Sequence, residues 1–289
     1  MSKLFVRLPL IGLAAASLAA CATVPQERVS TMQSAAATPA SASASQQLKA
    51  LFERSDEASL ERNPTARYYR GDFSQADRLG NGFAPDYYAK ERAAAEADLA
   101  ALKAIDRAAL SPEERISYDV FAYNQERTLE QTSPSILPWE LYTPIDHFRG
   151  FHIGYPRLSS AGGVMPFATV TDYENALKRH AQVPGQLDQA IARMREGMAA
   201  KVVLPRLTVE TVIQQLDTQL ELGTGQTPYW TPIAKFPDAI GAADRARLTA
   251  AFRTAIERDI RPSLQKLRTF MADEYLPVAR PGVGLAGAP

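Results

Sequence analysis

Three histidines, His147, His152 and His180, are the residues of this chain whose type best suits metal-dependent hydrolysis. Zinc hydrolases of the His-Glu type place two histidines on one helical face, so that both imidazoles reach one metal while a glutamate activates water. None of the three is followed by glutamate, and His147 and His152 lie five positions apart in a segment rich in proline and glycine. We therefore expect hydrogen-bonded or exposed histidines rather than a zinc centre, although a site built from all three stays open.

Other reactive patterns are weak. The chain has one cysteine, Cys21, and contains neither a G-x-S-x-G nucleophile motif nor a P-loop. Residues 282–287 fit the pattern G-x-G-x-x-G, but that loop binds dinucleotide phosphates only between a strand and a helix. Here the pattern follows a predicted helix, so we expect no dinucleotide site. No residue is assigned a catalytic role from the sequence.

Cys21 follows a short segment that has the features of an export signal. Lys3 and Arg7 give the segment a positive start. The apolar run over residues 8–16 is much shorter than the roughly 20 residues that span a bilayer. Residues 18–21, Leu-Ala-Ala-Cys, resemble the lipobox of bacterial lipoproteins, in which the cysteine carries diacylglycerol on its sulfur. The alternative is an ordinary cleaved signal peptide in which the cysteine has no role.

The lipobox interpretation divides the N-terminal part of the chain. Residues 1–20 are predicted to be a signal peptide that is cut between Ala20 and Cys21. Position 22 is alanine rather than aspartate, which is typical of lipoproteins sorted to the outer membrane, here facing the periplasm. Residues 21–45 consist mostly of Ala, Ser, Thr, Pro and Gln without an apolar period, which predicts a flexible tether.

The bulk composition excludes some classes of protein. The chain has 289 residues, of which 46% are hydrophobic, so it can bury a substantial core. Lys plus Arg and Asp plus Glu both number 32. A broad nucleic-acid surface needs an excess of basic residues, and we therefore expect no nucleic-acid partner.

The body of the chain, residues 46–289, has a helical period throughout, and we predict a mainly α, multi-helix bundle. Ser111 and Glu114 form a capping box with proline at the first helical position, and Thr171 and Glu174 suggest a second capping box. Prolines at 184 and 262 predict a kink or bend in the later helices. No alternating series of strands is visible.

Residues 132–170 interrupt the helical pattern, because prolines and glycines are too frequent for a long helix. Six aromatic residues lie in this irregular segment, and short strand pairs within it stay open. Long irregular segments in compact domains often carry function. We therefore take His147, His152, Tyr155 and Arg157 as candidate cleft-lining residues, while the alternative is that the aromatics simply fill the core.

Several motifs of the body resemble the domain of unknown function 885 (DUF885) family. The motifs lie at residues 63–66, 71–72, 165–170, 172–174, 194–197, 204–206 and 275–277, and at Arg280, Gly282, Gly284 and Leu285. They occur in the order of the family, and the resemblance covers residues 46–289.

The resemblance implies a helical, gluzincin-like metallopeptidase fold, similar to that of helical carboxypeptidases. Members are usually about twice as long, and their zinc-binding His-Glu motif lies in the C-terminal half. The chain would thus correspond to the N-terminal half, with no zinc ligand and no cofactor of its own. It would be completed by the missing half or by a separate chain, with a peptide as substrate.

Two functional hypotheses follow. In the first, the chain is the N-terminal part of a membrane-anchored, metallopeptidase-like lipoprotein and is not catalytic alone. In the second, it is a standalone binding or scaffold lipoprotein that uses the aromatic segment 132–170 as its recognition surface.

The lipid anchor can be tested by a single substitution. Cys21→Ser removes the sulfur that would carry the diacylglycerol, so we expect the variant to leave the membrane fraction. More than one acyl chain is needed for stable anchoring, at about 0.8 kcal/mol per buried CH₂. Fractionation and immunoblotting of cells check this result. A Cys21→Ser variant that still sediments with membranes would show that the anchor is not the cysteine lipid.

Overall fold

The structure, a computed structural model, describes residues 42–283. Within that range the chain folds into α-helices joined by turns, which confirms the predicted mainly α class. Strand pairing in this part of the chain is limited to one parallel bridge between Pro205 and Arg280. No helix of the described range is long and apolar enough to cross a bilayer. The predicted signal peptide, Cys21 and the end of the glycine pattern lie outside the described residues.

The helices follow one another with few long connections. In chain order they are α1 (Ala44–Arg62), α2 (Pro64–Tyr69), α3 (Tyr87–Lys103), α4 (Pro112–Gln131), α5 (Leu137–Tyr142), α6 (Phe151–Ser159), α7 (Val170–His180), α8 (Val183–Ala200), α9 (Arg206–Glu221), α10 (Thr231–Ala234), α11 (Ala242–Ala255) and α12 (Arg261–Thr269). Helix α1 begins inside the segment 21–45 that the sequence assigns to the tether, because Ser43 and Gln46 form a capping box at its start.

The capping box predicted at the start of α4 is present. The Ser111 hydroxyl accepts a hydrogen bond from the Glu114 N–H at 3.2 Å, and the Glu114 carboxylate accepts one from the Ser111 N–H at 2.8 Å. Both groups satisfy N–H donors that the first turn of a helix leaves without partners. Two short side chains close in sequence suffice for this interaction, so the sequence predicts it directly.

The second predicted capping box is wrong by two residues. Helix α7 is capped by Thr169, whose hydroxyl accepts from the Asp172 N–H, and not by Thr171 with Glu174. The Asp172 carboxylate accepts the N–H groups of Ala168 and Thr169 at 2.9 and 2.7 Å. Together, the Thr169 and Asp172 side chains accept hydrogen bonds from three backbone N–H groups at this end of the helix. These bonds explain why α7 starts there.

Residues 132–170 contain two short helices, α5 and α6, and no strand. Pro138 stands in the first turn of α5, and Pro156 lies inside α6, so neither helix grows long. Of the six aromatics in the segment, Tyr155 is buried, four are half-buried, and Phe148 is 81% exposed. Tyr155, Phe151 and Phe167 contact the core, which is half of the six.

The sequence predicts a kink at Pro184 and a bend near Pro262, and the structure places both prolines in the first turn of a helical segment. Helix α7 ends at His180 and α8 begins at Val183, so Pro184 lies in the first turn of a new helix. Helix α11 continues into α12 through a π-helical turn, Ile256–Ile260, which directly precedes Pro262. The wider turn lets the helix pass the proline, which has no N–H to donate.

Three apolar clusters hold these helices together. The largest joins α6, α8, α9 and α12, a second joins α7 to α10 and α11, and a third joins α1, α3 and α4. The most completely buried members of the clusters include Leu187, Met194, Leu216, Tyr173, Phe252, Leu51 and Leu102. The stripe of Leu187, Ile191, Met194 and Met198 on α8 faces the largest cluster, as its helical spacing predicts.

Gly197 of α8 provides a test of the packing between α5 and α8. A Cβ atom at this position would lie 2.7 Å from the Tyr142 Cβ and 2.7 Å from the Val202 carbonyl oxygen. We expect Gly197→Ala to lower the free energy of unfolding by about 1–3 kcal/mol, although alanine is the better helix former. Gly185→Ala in the same helix meets open space and should raise stability by up to about 1 kcal/mol. Urea unfolding of both variants checks the contrast, and equal effects would contradict it.

Candidate functional site

A cleft of about 290 Å³ opens beside helix α6, where the end of α1, α2 and the α2–α3 loop meet α6 and α8. Its lining consists of Arg62, Asn63, Thr65, Tyr69, Leu79, Gly80, Asn81, Gly82, Phe83, Tyr87, Phe151, Gly154, Tyr155, Leu158 and Gln186. Five of these residues are aromatic. Concave sites with mostly apolar walls and a few polar groups are the usual form of a ligand site.

The polar side chains in this lining are largely occupied by the protein itself. Arg62, the charged member of the lining, pairs through its Nε with the Glu91 carboxylate at 2.5 Å. The Gln186 amide donates to the Gly80 carbonyl at 2.7 Å. The cleft therefore presents no uncompensated charge from its lining, and it suits a ligand group that is neutral.

The loop between α2 and α3, residues 70–86, forms one wall of the cleft and has little regular structure. Several of its backbone carbonyls accept hydrogen bonds from side chains of neighbouring helices. The Tyr68 hydroxyl lies between the carbonyls of Gln75 and Arg78 and has one proton that the two share, and the buried Arg179 guanidinium donates to the Ala76 carbonyl. Without such partners, buried carbonyls would each cost about 1–3 kcal/mol.

Two glutamines continue this support, one just before α8 and one in its first turn. Gln182 donates to the Asp77 carbonyl at 2.7 Å and accepts from the Leu79 N–H at 3.1 Å. Gln186 donates to the Gly80 carbonyl. Arg179, Gln182 and Gln186 therefore bind three carbonyls of the loop, those of Ala76, Asp77 and Gly80, and the wall of the cleft is held by the protein itself.

Gly80 is the tightest point of this wall. Its φ of +73° lies in the left-handed region, and a Cβ at this position would lie 2.9 Å from the Pro64 Cδ. Glycine alone satisfies both the backbone conformation and the close approach to α2. The loop thus contacts α2 directly at the rim of the cleft.

The inner wall of the cleft is Tyr155 on α6. Its ring stacks on that of Phe151 at 4.9 Å, and its hydroxyl lies 2.7 Å from the His180 Nδ1. Burial raises the pKa of Tyr155, so the hydroxyl stays protonated. His180 is completely buried and packs edge-on against Phe252 at 5.3 Å. Burial first, and then the neighbouring Arg179 charge, lower the pKa of His180 to about 3.

Two further hollows adjoin the cleft. One shares Gly82, Phe83 and Phe151 with it and extends to Glu140 and Arg149. The other shares Arg62, Gly80, Asn81 and Tyr87 with it and carries charged residues on its outer side, namely Glu61, Arg78, Asp86 and Lys90. An apolar centre with charged surroundings on two sides suits an elongated ligand whose middle part is apolar.

The four candidate residues from the sequence take different positions. Tyr155 lines the cleft, and Arg157 is exposed and does not. His152 is buried with its Nε2 3.0 Å from the Gln215 amide oxygen, and burial lowers its pKa. The His147 ring packs against that of Phe148 at 4.0 Å with the planes tilted by 42°, and the His147 carbonyl accepts from the Gln215 amide. His147 and His152 thus meet at one glutamine on α9, away from His180 at Tyr155.

Most of the cleft-lining residues were not predicted. Leu79, Asn81 and Phe83 lie in the α2–α3 loop and Tyr87 begins α3, and none of them is among the candidate residues from the sequence. Three glycines in this loop could have indicated a close approach of backbone to another element. The sequence around Gln186 does not indicate its role, because that role depends on the Gly80 carbonyl, which is distant in the sequence.

No group of three or more His, Cys, Asp or Glu side chains that could hold a metal ion occurs between residues 42 and 283. The two most buried histidines are engaged with different partners, Gln215 and Tyr155. The three-histidine arrangement that the sequence left open is thus not assembled in this part of the chain.

Residues 64–287 match the family described as a bacterial protein of unknown function, DUF885. The chain belongs to the DUF885 family. The match includes every segment that lines the cleft except the last residues of α1, so the cleft lies within the DUF885 region.

A solved structure shares the fold of this DUF885 chain. It is described as a "putative lipoprotein" from Colwellia psychrerythraea, and the two superpose with a TM-score of 0.71 at 16% identity. The match covers 86% of this chain and 44% of the other, so this chain spans less than half the length of that protein. No curated protein matches the sequence.

The buried His180 makes the stability of this DUF885 chain depend on pH. His180 stays neutral in the folded protein, whereas in the unfolded chain it takes up a proton below its ordinary pKa of 6.5. Stability contributed by this group is therefore present above pH 6.5 and is lost as the pH falls toward 3. We expect a loss of about 1 kcal/mol per pH unit between pH 5.5 and 4.

Urea unfolding at several pH values measures this slope. Other groups also contribute to it, so the comparison is with His180→Gln, which should flatten the slope by about that amount. His147→Gln is the matched control, because this half-buried ring lies outside the Tyr155 contact. A slope that stays the same in His180→Gln and in the wild type would contradict the buried neutral histidine.

Proposed function

We propose that this chain is a lipid-anchored, peptide-binding module of the bacterial cell envelope, attached through Cys21 to the outer membrane and facing the periplasm. The lipobox and the charged, short apolar segment before it support the anchor. The description of the structural neighbour as a lipoprotein agrees with this location. The body would be displayed at the membrane surface on the tether of residues 21–45.

The observation that carries the binding function is the preformed aromatic cleft with a neutral lining. Its walls include Phe83, Phe151 and the ring of Tyr155, which suit an aromatic or branched apolar side chain. Side-chain amides in the lining, Asn63 and Asn81, can pair with peptide groups on either side of that side chain. The adjoining hollows leave room for the flanking residues of an extended peptide.

We further propose that the chain does not hydrolyse its ligand alone. The resemblance places a zinc-binding His-Glu motif in the other half of longer family members, and no histidine here is followed by glutamate. The buried histidines face Gln215 and Tyr155 rather than one another. Zinc and its ligands would come from a C-terminal half or a separate chain, to which this module presents the peptide.

A second candidate function is a standalone binding or scaffold lipoprotein. One observation favours it: Phe151 and Tyr155, from the aromatic segment 132–170, already form part of a complete cleft within this chain. In that case the same cleft would retain a ligand with no hydrolytic partner. The two candidates differ in whether a bound peptide is later cleaved by another chain.

Gly154 allows the cleft to be filled without disturbing the fold. It lies in the lining on α6, and a Cβ at this position meets nothing within 4 Å. We expect Gly154→Leu to weaken binding of a capped alanine peptide with one central phenylalanine about tenfold or more, because the leucine occupies the space of the phenyl ring. Isothermal titration calorimetry measures the affinity. The peptide should be recovered intact, with or without added zinc.

The matched control is Gly185→Leu, which also faces open space but lies outside the cleft. It should bind the phenylalanine peptide like the wild type. Replacing the central phenylalanine with glycine should abolish binding to every variant. Binding of a chitin oligosaccharide in place of the peptide would redirect the proposal to a glycan, and zinc-dependent cleavage of the peptide would refute the non-catalytic part.

A further inference from the structure

Helix α4 carries an apolar stripe on the side that faces away from the protein. Ile116, Val120 and Tyr123 are 65%, 52% and 61% exposed. Their spacing of four and three residues places them above one another on one helical face. The opposite face of α4 packs through Tyr118 and Phe121 against the cluster shared with α1 and α3. Surface helices normally carry polar residues on the outer face, so this second apolar face requires an explanation.

The stripe lies close to the point where the tether enters the helical body. Ala44, the first residue of α1, packs in the same cluster as Tyr118 of α4. Hydrogen bonds from the Ser111 N–H and from the Ser45 and Ser111 hydroxyls lower the pKa of Glu114 in the first turn of α4. The starts of α1 and α4 are therefore neighbours. Tyr123 lies about 18 Å along α4 from Ser111, at 1.5 Å per residue.

Two of the charges around the stripe are paired within the protein. Asp119 binds Arg107 through two hydrogen bonds of 2.9 and 2.7 Å, and Arg127 pairs with Glu130. Glu113 and Glu126 lie three positions before Ile116 and three after Tyr123. This surface has no excess of basic residues to attract anionic headgroups, and it suits a zwitterionic lipid surface. Tyr123 combines an apolar ring with a polar hydroxyl, as residues at membrane interfaces commonly do.

We propose that Ile116, Val120 and Tyr123 form a membrane-contact face, which rests on the lipid surface to which the anchor holds the protein. This inference rests on the proposed lipid anchor at Cys21, but it does not depend on the cleft. Cys21 precedes Ala44, the first residue of α1, by 23 positions in the sequence, so a lipid on Cys21 would keep the body near the bilayer. Three partly inserted side chains bind weakly on their own, and the anchor makes the contact intramolecular. The body would then have one defined side toward the membrane.

A single fluorescent label can test this contact in the full-length lipoprotein. Lipidation consumes the Cys21 sulfur, so Val120→Cys supplies the one thiol that reacts with a dye. The labelled protein is reconstituted into phosphatidylcholine vesicles with and without brominated acyl chains, which quench the dye at short range. We expect about twofold or greater quenching at position 120 relative to the same dye in Leu207→Cys, whose parent leucine is 62% exposed on α9. Added phosphatidylglycerol should not increase the quenching.

Two further measurements distinguish the outcomes. Adding Ile116→Ser and Tyr123→Ser to the Val120→Cys chain should reduce quenching to the level of Leu207→Cys, while circular dichroism shows the fold retained. Equal quenching at positions 120 and 207 would overturn the membrane-contact face, and so would a dye signal that depends on protein concentration, which indicates pairing of two copies. If Cys21 carries no lipid, the protein will not bind the vesicles and the Cys21 thiol will react with the dye. These two results distinguish failure of the anchor from failure of the membrane-contact face.

Discussion

The cleft depends on how the backbone of the α2–α3 loop obtains its hydrogen bonds. The loop has little regular structure, so its carbonyls cannot pair within a helix or a sheet, and side chains from α7, from α8 and from the turn between them bind several of these carbonyls instead. Arg179, Gln182 and Gln186 contact the carbonyls of Ala76, Asp77 and Gly80. Each bond contributes about 1 kcal/mol net, but each carbonyl left buried without a partner would cost more. The loop is therefore ordered by polar contacts, and Phe83 lines the cleft while Phe73 stacks on Tyr68.

The position of these contacts explains why the loop and the inner wall of the cleft are linked. Arg179 and His180 are adjacent residues in the last turn of α7. Arg179 holds the loop, and His180 contacts the hydroxyl of Tyr155 on α6. Both side chains are almost completely buried. One turn of helix thus fixes two walls of the cleft, and a shift of α7 would move both together.

The sequence predicts the parts of the structure that depend on neighbouring residues. The cap at Ser111 and the apolar stripes of the long helices follow from local spacing. The cap of α7 does not, because Thr169 and Thr171 are both plausible and the choice depends on which donors Asp172 can reach. The cleft is harder still, since its walls come from positions as far apart as Arg62 and Gln186. The candidate Tyr155 lies in an aromatic segment, whereas the glutamine that supports the loop has no local pattern to reveal it.

The two apolar features of the surface have different physical characters, which argues that they serve different roles. The cleft is concave, and the one charged residue of its lining, Arg62, is paired with Glu91. Side-chain hydrogen bonds hold the loop that forms one of its walls. The cleft therefore suits a ligand group small enough to be enclosed. The stripe on α4 is convex and consists of three side chains on a helix in which Asp119 and Arg127 form ion pairs. A convex apolar stripe cannot enclose a small ligand, but it can lie against an extended surface. Helix α4, whose outer face carries the stripe, packs through its inner face in the cluster of α1, α3 and α4, and most of the cleft belongs to the larger cluster around α8. The proposed attachment and the proposed recognition would thus use separate parts of the helical body.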